Sequence, residues 1–117
     1  MLTTSSGKGQ AAIEALARYD LVFVHIEAPD EAGHQGNIQA KVDAIEAIDK
    51  HIVGPLLAAL QARGDYRLLV LPDHPTPIDL RTHVAEPVPF AYCGSDVGEP
   101  SGRRFTEASA AETGLTV

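Results

Sequence analysis

Apolar positions recur along the chain with two different periods, and the period changes wherever glycine and proline fall. After a polar, small-residue opening from Met1 to Gly9, the segment AAIEALARY sets Ile13 and Leu16 three apart, the spacing of one helical stripe. Asp20 then introduces LVFVHIEA, a nearly continuous β-branched and aromatic run of the kind expected where both faces of a strand are covered. This predicts a central strand. Residues 29–37, PDEAGHQGN, interrupt the run with proline, glycine and asparagine. Val42, Ile45, Ile48, Ile52, Leu56 and Leu60 follow at intervals of three or four, an amphipathic helix whose polar side carries Lys41, Asp43, Glu46, Asp49 and Lys50. Pro55 lies inside this pattern and has no N–H to donate to the preceding turn, which predicts a kink. Arg63 and Gly64 close the helix.

Tyr66 to Leu71 (YRLLVL) repeats the buried-strand signature, PDHPTPIDLRTH reads as a proline-bearing loop, and VPFAYCG is a third, shorter strand bounded by Pro87 and Gly94. SDVGEPSGRR continues as loop, and FTEASAAETGLTV predicts a last short helix stopping near Gly114. Strands alternating with a crossover helix of this length predict a parallel α/β unit, closed right-handedly, with helices on the sheet faces. The chain shows no repeat and no low-complexity tract.

Composition narrows what such a unit can do. The 117 residues fit one domain, 1–117, and 44 % hydrophobic against 21 % charged residues is the material of a folded core rather than of a disordered tail. A formal net charge of −7 has the wrong sign for neutralising nucleic-acid phosphates or docking on anionic lipid, so neither nucleic acid nor membrane is expected as a partner. The single Cys93 excludes an internal disulfide, and no apolar run approaches the roughly 20 residues that cross a bilayer, which makes a cytoplasmic location the expectation.

Acid and histidine are plentiful, and they concentrate in two loops. In an open parallel sheet, ligands gather outside the carboxyl ends of the strands. Asp30 and His34, four apart and following Pro29 at a helix's first position, come onto one side of a single turn. Asp73 and His74 leave the second strand directly, and His83 follows nine residues later. Five N/O donors on one sheet edge are more than one reactive ion takes, since a catalytic ion keeps positions open, so two ions are the natural count. Carboxylate and imidazole without thiolate suit zinc or manganese rather than calcium. Against this stand plainer readings: Asp30 and His34 as a solvated helix pair, and Asp73-His74 as a turn or cap. His25, within the apolar strand, reads as a hydrogen-bonded core imidazole, His51 as exposed, and Cys93 as a small core residue. Gly7-Lys8 is not a phosphate loop, because Leu2 and Gly9 stand where glycine and Ser or Thr are required, and Ser5 and Ser6 read as a helix cap rather than nucleophiles.

VHIEAPDEAGHQGN, KVDAIEAID and LPDHPTPIDLRTHVAEPVPF together resemble the carboxyl-terminal part of the archaeal-type cofactor-independent (2,3-bisphosphoglycerate-independent) phosphoglycerate mutases, two-metal enzymes of the alkaline phosphatase superfamily. The likeness runs from about Gly7 to Gly114. It implies a partial alkaline-phosphatase-like three-layer α/β/α sandwich with a mostly parallel sheet. By position, Asp30, His34 and His83 match the ligands of one metal and Asp73 and His74 two ligands of the other, implying two divalent ions, manganese or zinc. In such enzymes a metal-activated serine takes the phosphoryl group from one hydroxyl of phosphoglycerate and returns it to the neighbouring one. The resemblance places that serine, a further aspartate ligand and the substrate-binding insert in parts of the family's sequence that this chain does not match. The chain then corresponds to a fragment, expected to be inactive alone and to pair with an amino-terminal part or with a second copy across its exposed sheet edge. A related two-metal phosphotransferase or phosphatase, homoserine kinase-like, and a non-catalytic metal-binding or assembly module remain the alternatives.

Overall fold

The computed structural model describes residues 5–116. Helix α1 spans Ser5–Leu16, α2 Ala28–Gln35 and α3 Ile38–Ile48; a π-helical turn, Asp49–Val53, joins α3 to α4, Gly54–Arg63. Strand β1 (Arg67–Val70), strand β2 (Ala91–Gly94) and helix α5 (Glu107–Glu112) complete the order. Residues 5–9, expected to be a flexible opening, are therefore helical, and Ser6 lies within α1; the expectation for residues 1–4 falls outside the described residues.

Local chemistry accounts for the helix boundaries. Pro29 sits in the first turn of α2, where its missing N–H would have had no partner, and Gly36 ends that helix in the left-handed region (φ 65°). Asn37 follows at once and its side chain accepts from the Ala40 N–H at 3.0 Å, capping α3. The kink predicted at Pro55 takes the form of the π turn: the Gly54 N–H reaches back five residues to the Asp49 carbonyl, so the ladder widens immediately before the proline. The His51 carbonyl, which residue 55 offers no N–H, faces Gly9 of α1, where a Cβ would stand 2.3 Å from its oxygen.

This contact sets α1 across the π turn and defines the core. Ala12, Ile52 and Leu56 are buried together, with Ile13, Leu16, Val22, Val24, Ile26 and Ile48 packed around them. The Arg63 guanidinium donates to the Leu16 carbonyl and ties α4 to the end of α1. The long amphipathic pattern meets this core only in its second half. Ile52, Leu56 and Leu60 are buried, but Val42 and Ile45 face outward, because α3 turns its small residues Ala40, Ala44 and Ala47 inward.

The sheet differs from expectation. Among the described residues it has two strands, β1 and β2, and they pair antiparallel, with Arg67 opposite Gly94 and Val70 opposite Ala91. The predicted central strand, residues 21–28, belongs to no ladder: residues 21–27 form no regular element, Glu27 already has helical backbone (φ −97°, ψ −14°), and α2 has begun at Ala28. Its side chains alternate: Val22, Val24 and Ile26 pack on the core, while Leu21, Phe23 and His25 are exposed. An apolar, β-branched run favours extended backbone, but a strand also needs a neighbour to supply the hydrogen bonds, and that is a tertiary matter. Cys93 is half-buried in β2 opposite Leu68.

Candidate metal centre

Two short segments and one helix bring the acid and histidine groups together. Asp30 and His34 lie on successive turns of α2, as the spacing predicted, and His34 Nε2 is 3.3 Å from Asp30 Oδ2. His83 arrives from the loop between β1 and β2. Its Nε2 is 2.9 Å from Asp30 Oδ1 and 3.1 Å from His34 Nε2. One ligand atom from each of the three falls within 4.8 Å of the others. Donors about 2.1 Å from a common ion stand about 3.0–3.4 Å apart, so these separations fit a coordination sphere and the donor set fits a divalent cation.

Asp73 and His74 leave β1 and flank this triangle. The His74 ring packs on that of His83, with centroids 3.6 Å apart. Asp73 Oδ1 accepts the His74 N–H at 3.0 Å, which is the turn the plainer reading expected, yet the same oxygen also stands 3.4 Å from His74 Nε2. His25, read from the sequence as a core imidazole, is instead exposed, with its Nε2 3.9 Å from Asp73 Oδ2. The alternation along residues 21–27 turns it away from the core. Together with Ile26, Glu27, Asp30, Asp73, His74 and His83 it lines a cavity of about 200 Å³. His51 is exposed, as predicted, and has no part in this cavity.

The groups around the donors orient them. His34 Nδ1 lies 3.0 Å from the Arg81 carbonyl, which can only accept, so Nδ1 carries the proton and Nε2 turns its lone pair toward Asp30 and His83. Arg81 achieves this with a left-handed backbone, φ 54°, uncommon for a residue with a Cβ. Thr76 donates its hydroxyl to Asp30 Oδ1 at 2.6 Å. That hydrogen bond is the main reason the Asp30 carboxyl lies below its ordinary range; burial opposes the shift, and neighbouring His34 and His83 add to it. Neither Thr76 nor Arg81 was recognised from the sequence. Only their places in PDHPTP and DLRTH, close to candidate ligands, could have drawn notice.

The comparisons with known proteins agree with this chemistry. The family model described as the metalloenzyme superfamily matches residues 2–116. A 2,3-bisphosphoglycerate-independent phosphoglycerate mutase of Methanothrix thermoacetophila is 52 % identical over 113 residues, covering 96 % of this chain and 29 % of that protein. A probable enzyme of the same name from Geobacter sulfurreducens is 47 % identical over 116 residues, covering 98 % of this chain and again 29 % of its own length. Among solved structures, the PH0037 protein from Pyrococcus horikoshii superimposes with a TM-score of 0.85 at 31 % identity, covering 94 % of this chain and 33 % of that one. The chain thus spans about three-tenths of the length of these curated relatives.

Proposed function

The chain belongs to the metalloenzyme superfamily, and from that premise we propose that it forms the carboxyl-terminal part of the metal-binding domain of a cofactor-independent phosphoglycerate mutase, an enzyme interconverting 3- and 2-phosphoglycerate. In this reading Asp30, His34 and His83 would hold one divalent ion, and Asp73 and His74 would contribute to a second. Imidazole and carboxylate donors without thiolate favour manganese or zinc. When bound, such cations neutralise a phosphate and stabilise the charge that develops as oxygen attacks phosphorus in line.

The chain's own residues prepare that site. Arg81 and Thr76 hold His34 and Asp30 in the form and direction that ligation needs, with donor atoms converging rather than dispersed in solvent. His25 and Glu27 line the same cavity as Asp30, Asp73, His74 and His83. In this reading the phosphoryl-accepting serine would come from the part of the relatives that this chain does not match, and the 117-residue chain alone would make no product. Conversion of a glycolytic acid in the cytoplasm is the corresponding setting.

The observation that carries this reading is the Asp30–His34–His83 triangle within a sequence about half identical to proteins named as mutases. Two measurements test it. Calorimetric titration with manganese or zinc should show uptake by the wild-type chain and its loss in His34→Ala. Mixed with the amino-terminal part of the Methanothrix relative, the chain should convert 3-phosphoglycerate to 2-phosphoglycerate. Release of inorganic phosphate alone would favour the phosphatase alternative, phosphorylation of homoserine the kinase-like one, and metal uptake with no turnover the binding module.

A further inference from the structure

Thr76 is the buried polar side chain of the described structure, 5 % exposed. Its surroundings hold it firmly: its carbonyl accepts from Lys41 Nζ at 2.6 Å, and its own atoms press against Gly33 of α2, where a Cβ would come within 2.6 Å of the Thr76 oxygen. Its hydroxyl stands between the two ligand groups, 2.6 Å from Asp30 Oδ1 and 3.3 Å from His74 Nδ1. The protons in this row can be counted. A carboxylate only accepts, so the single hydroxyl proton goes to Asp30. The hydroxyl oxygen then has only lone pairs to offer His74. The other neighbour of that imidazole nitrogen, the Pro75 carbonyl at 3.4 Å, is also an acceptor. Both contacts favour the His74 proton on Nδ1; Nε2 then lies 3.4 Å from Asp73 Oδ1 on the side of the cavity, where imidazole and carboxylate lone pairs face each other and only a shared cation or a second ring proton reconciles them.

We propose that Thr76 is a positioning residue serving both halves of the centre at once: its one hydroxyl aims the Asp30 carboxylate and sets the His74 tautomer whose Nε2 is the ligating atom. Thr76 itself binds no ion. The inference rests on the metal-binding reading above and adds to it the group through which the loop after β1 and helix α2 adjust to each other.

Three forms of the chain test this: wild type, Thr76→Val, which keeps the shape and loses the hydroxyl, and Thr76→Ser, which keeps the hydroxyl. Manganese and zinc are titrated by calorimetry, and nitrogen-15 spectra report the His74 tautomer. Thr76→Val should bind its tightest ion about 10- to 100-fold more weakly, the range found when an outer partner of a ligand is removed, while Thr76→Ser stays near wild type. The His74 proton should sit on Nδ1 in the wild-type chain. Affinity in Thr76→Val within about twofold of wild type, or an equal loss in Thr76→Ser, would overturn the proposal. So would a His74 proton found on Nε2 in the wild-type spectrum, a result that stands even if the valine variant does not fold. A wild-type chain taking up neither metal sinks the metal-binding reading itself, a result distinct from an indifferent Thr76.

Discussion

The Nε2 atoms of His34 and His83 lie 3.1 Å apart although 49 positions separate the two residues. One is on a helix and the other on a loop; the Arg81 carbonyl orients His34, the Asp30 carboxylate orients His83, and the two rings lie within hydrogen-bonding distance of each other. His34 gives its Nδ1 proton to the Arg81 carbonyl, so its Nε2 is an acceptor in the neutral ring. The expected outcome is a nitrogen-15 spectrum in which His34 is the Nδ1–H tautomer, with the Nε2 signal moving on zinc addition. A proton on Nε2 that persists in the presence of zinc would contradict the orientation described.

Asp30 supplies a dependence on pH with a definite sign. Thr76, chiefly, holds its carboxyl below the ordinary carboxylate range in the folded chain. A depressed folded pKa means that the ionised form favours folding: the contribution is present above the unfolded value and is lost as pH falls through the lower, folded one. In metal-free chain, thermal stability should therefore drop more steeply in wild type than in Asp30→Asn as pH falls below the ordinary carboxylate value of 3.8. Parallel curves for the two would rule out this linkage.

Gly33 lies where α2 packs directly on the backbone of the loop carrying Asp73, His74 and Thr76. A Cβ there would stand 2.6 Å from a backbone oxygen, which cannot swing aside as a side chain would. Gly33→Ala should destabilise by about 1–3 kcal/mol and weaken metal uptake together, because the strain falls on the loop that orients Asp30. Unfolding by urea and calorimetry on the same sample would reveal an uncoupling of the two, if it exists.

Ile52, 3 % exposed, is buried together with Ala12 and Leu56 at the centre of the core. Ile52→Ala should cost about 2–5 kcal/mol. Against the ~5–15 kcal/mol typical of whole domains, a loss of that size is a large fraction of the stability, visible as a thermal transition lowered by many degrees by circular dichroism. A shift of only a degree or two would mean the cluster is not the stabilising core.

Leu21 and Phe23 are 83 % and 87 % exposed on a backbone segment that pairs with no other strand among the described residues. Open edges and apolar patches of this kind are covered by association, and a second copy is the partner available in a pure sample. Sedimentation should show mass rising with concentration for wild type and a smaller rise for Phe23→Ser. A monomer at every concentration would exclude self-pairing through this segment.

Much of the site was legible from residue order alone, because its information is local. A spacing of four after Pro29 puts Asp30 and His34 on one side of a single turn whatever the rest of the chain does, although the full helix Ala28–Gln35 was not expected from a segment that reads as an interruption. Pro55 had to disturb its helix, since it lacks the donor every interior residue provides. The family resemblance, carried by short blocks around the same residues, pointed to the metal chemistry.

Other features depended on distant segments meeting, and no local rule reaches that far. The run from Leu21 to Glu27 encodes extended backbone but not a neighbour to bond with, so its predicted sheet was not found while β1 and β2 paired antiparallel. The same alternation that packed Val24 and Ile26 against the core turned His25 out toward Asp73, against the expectation of a core imidazole. Residue order named Asp30, His34, Asp73, His74 and His83 as candidates. Tertiary packing alone decided their separations, and with them the hidden supports Thr76 and Arg81, because coordination depends on ångström distances between groups that the chain itself leaves dozens of residues apart.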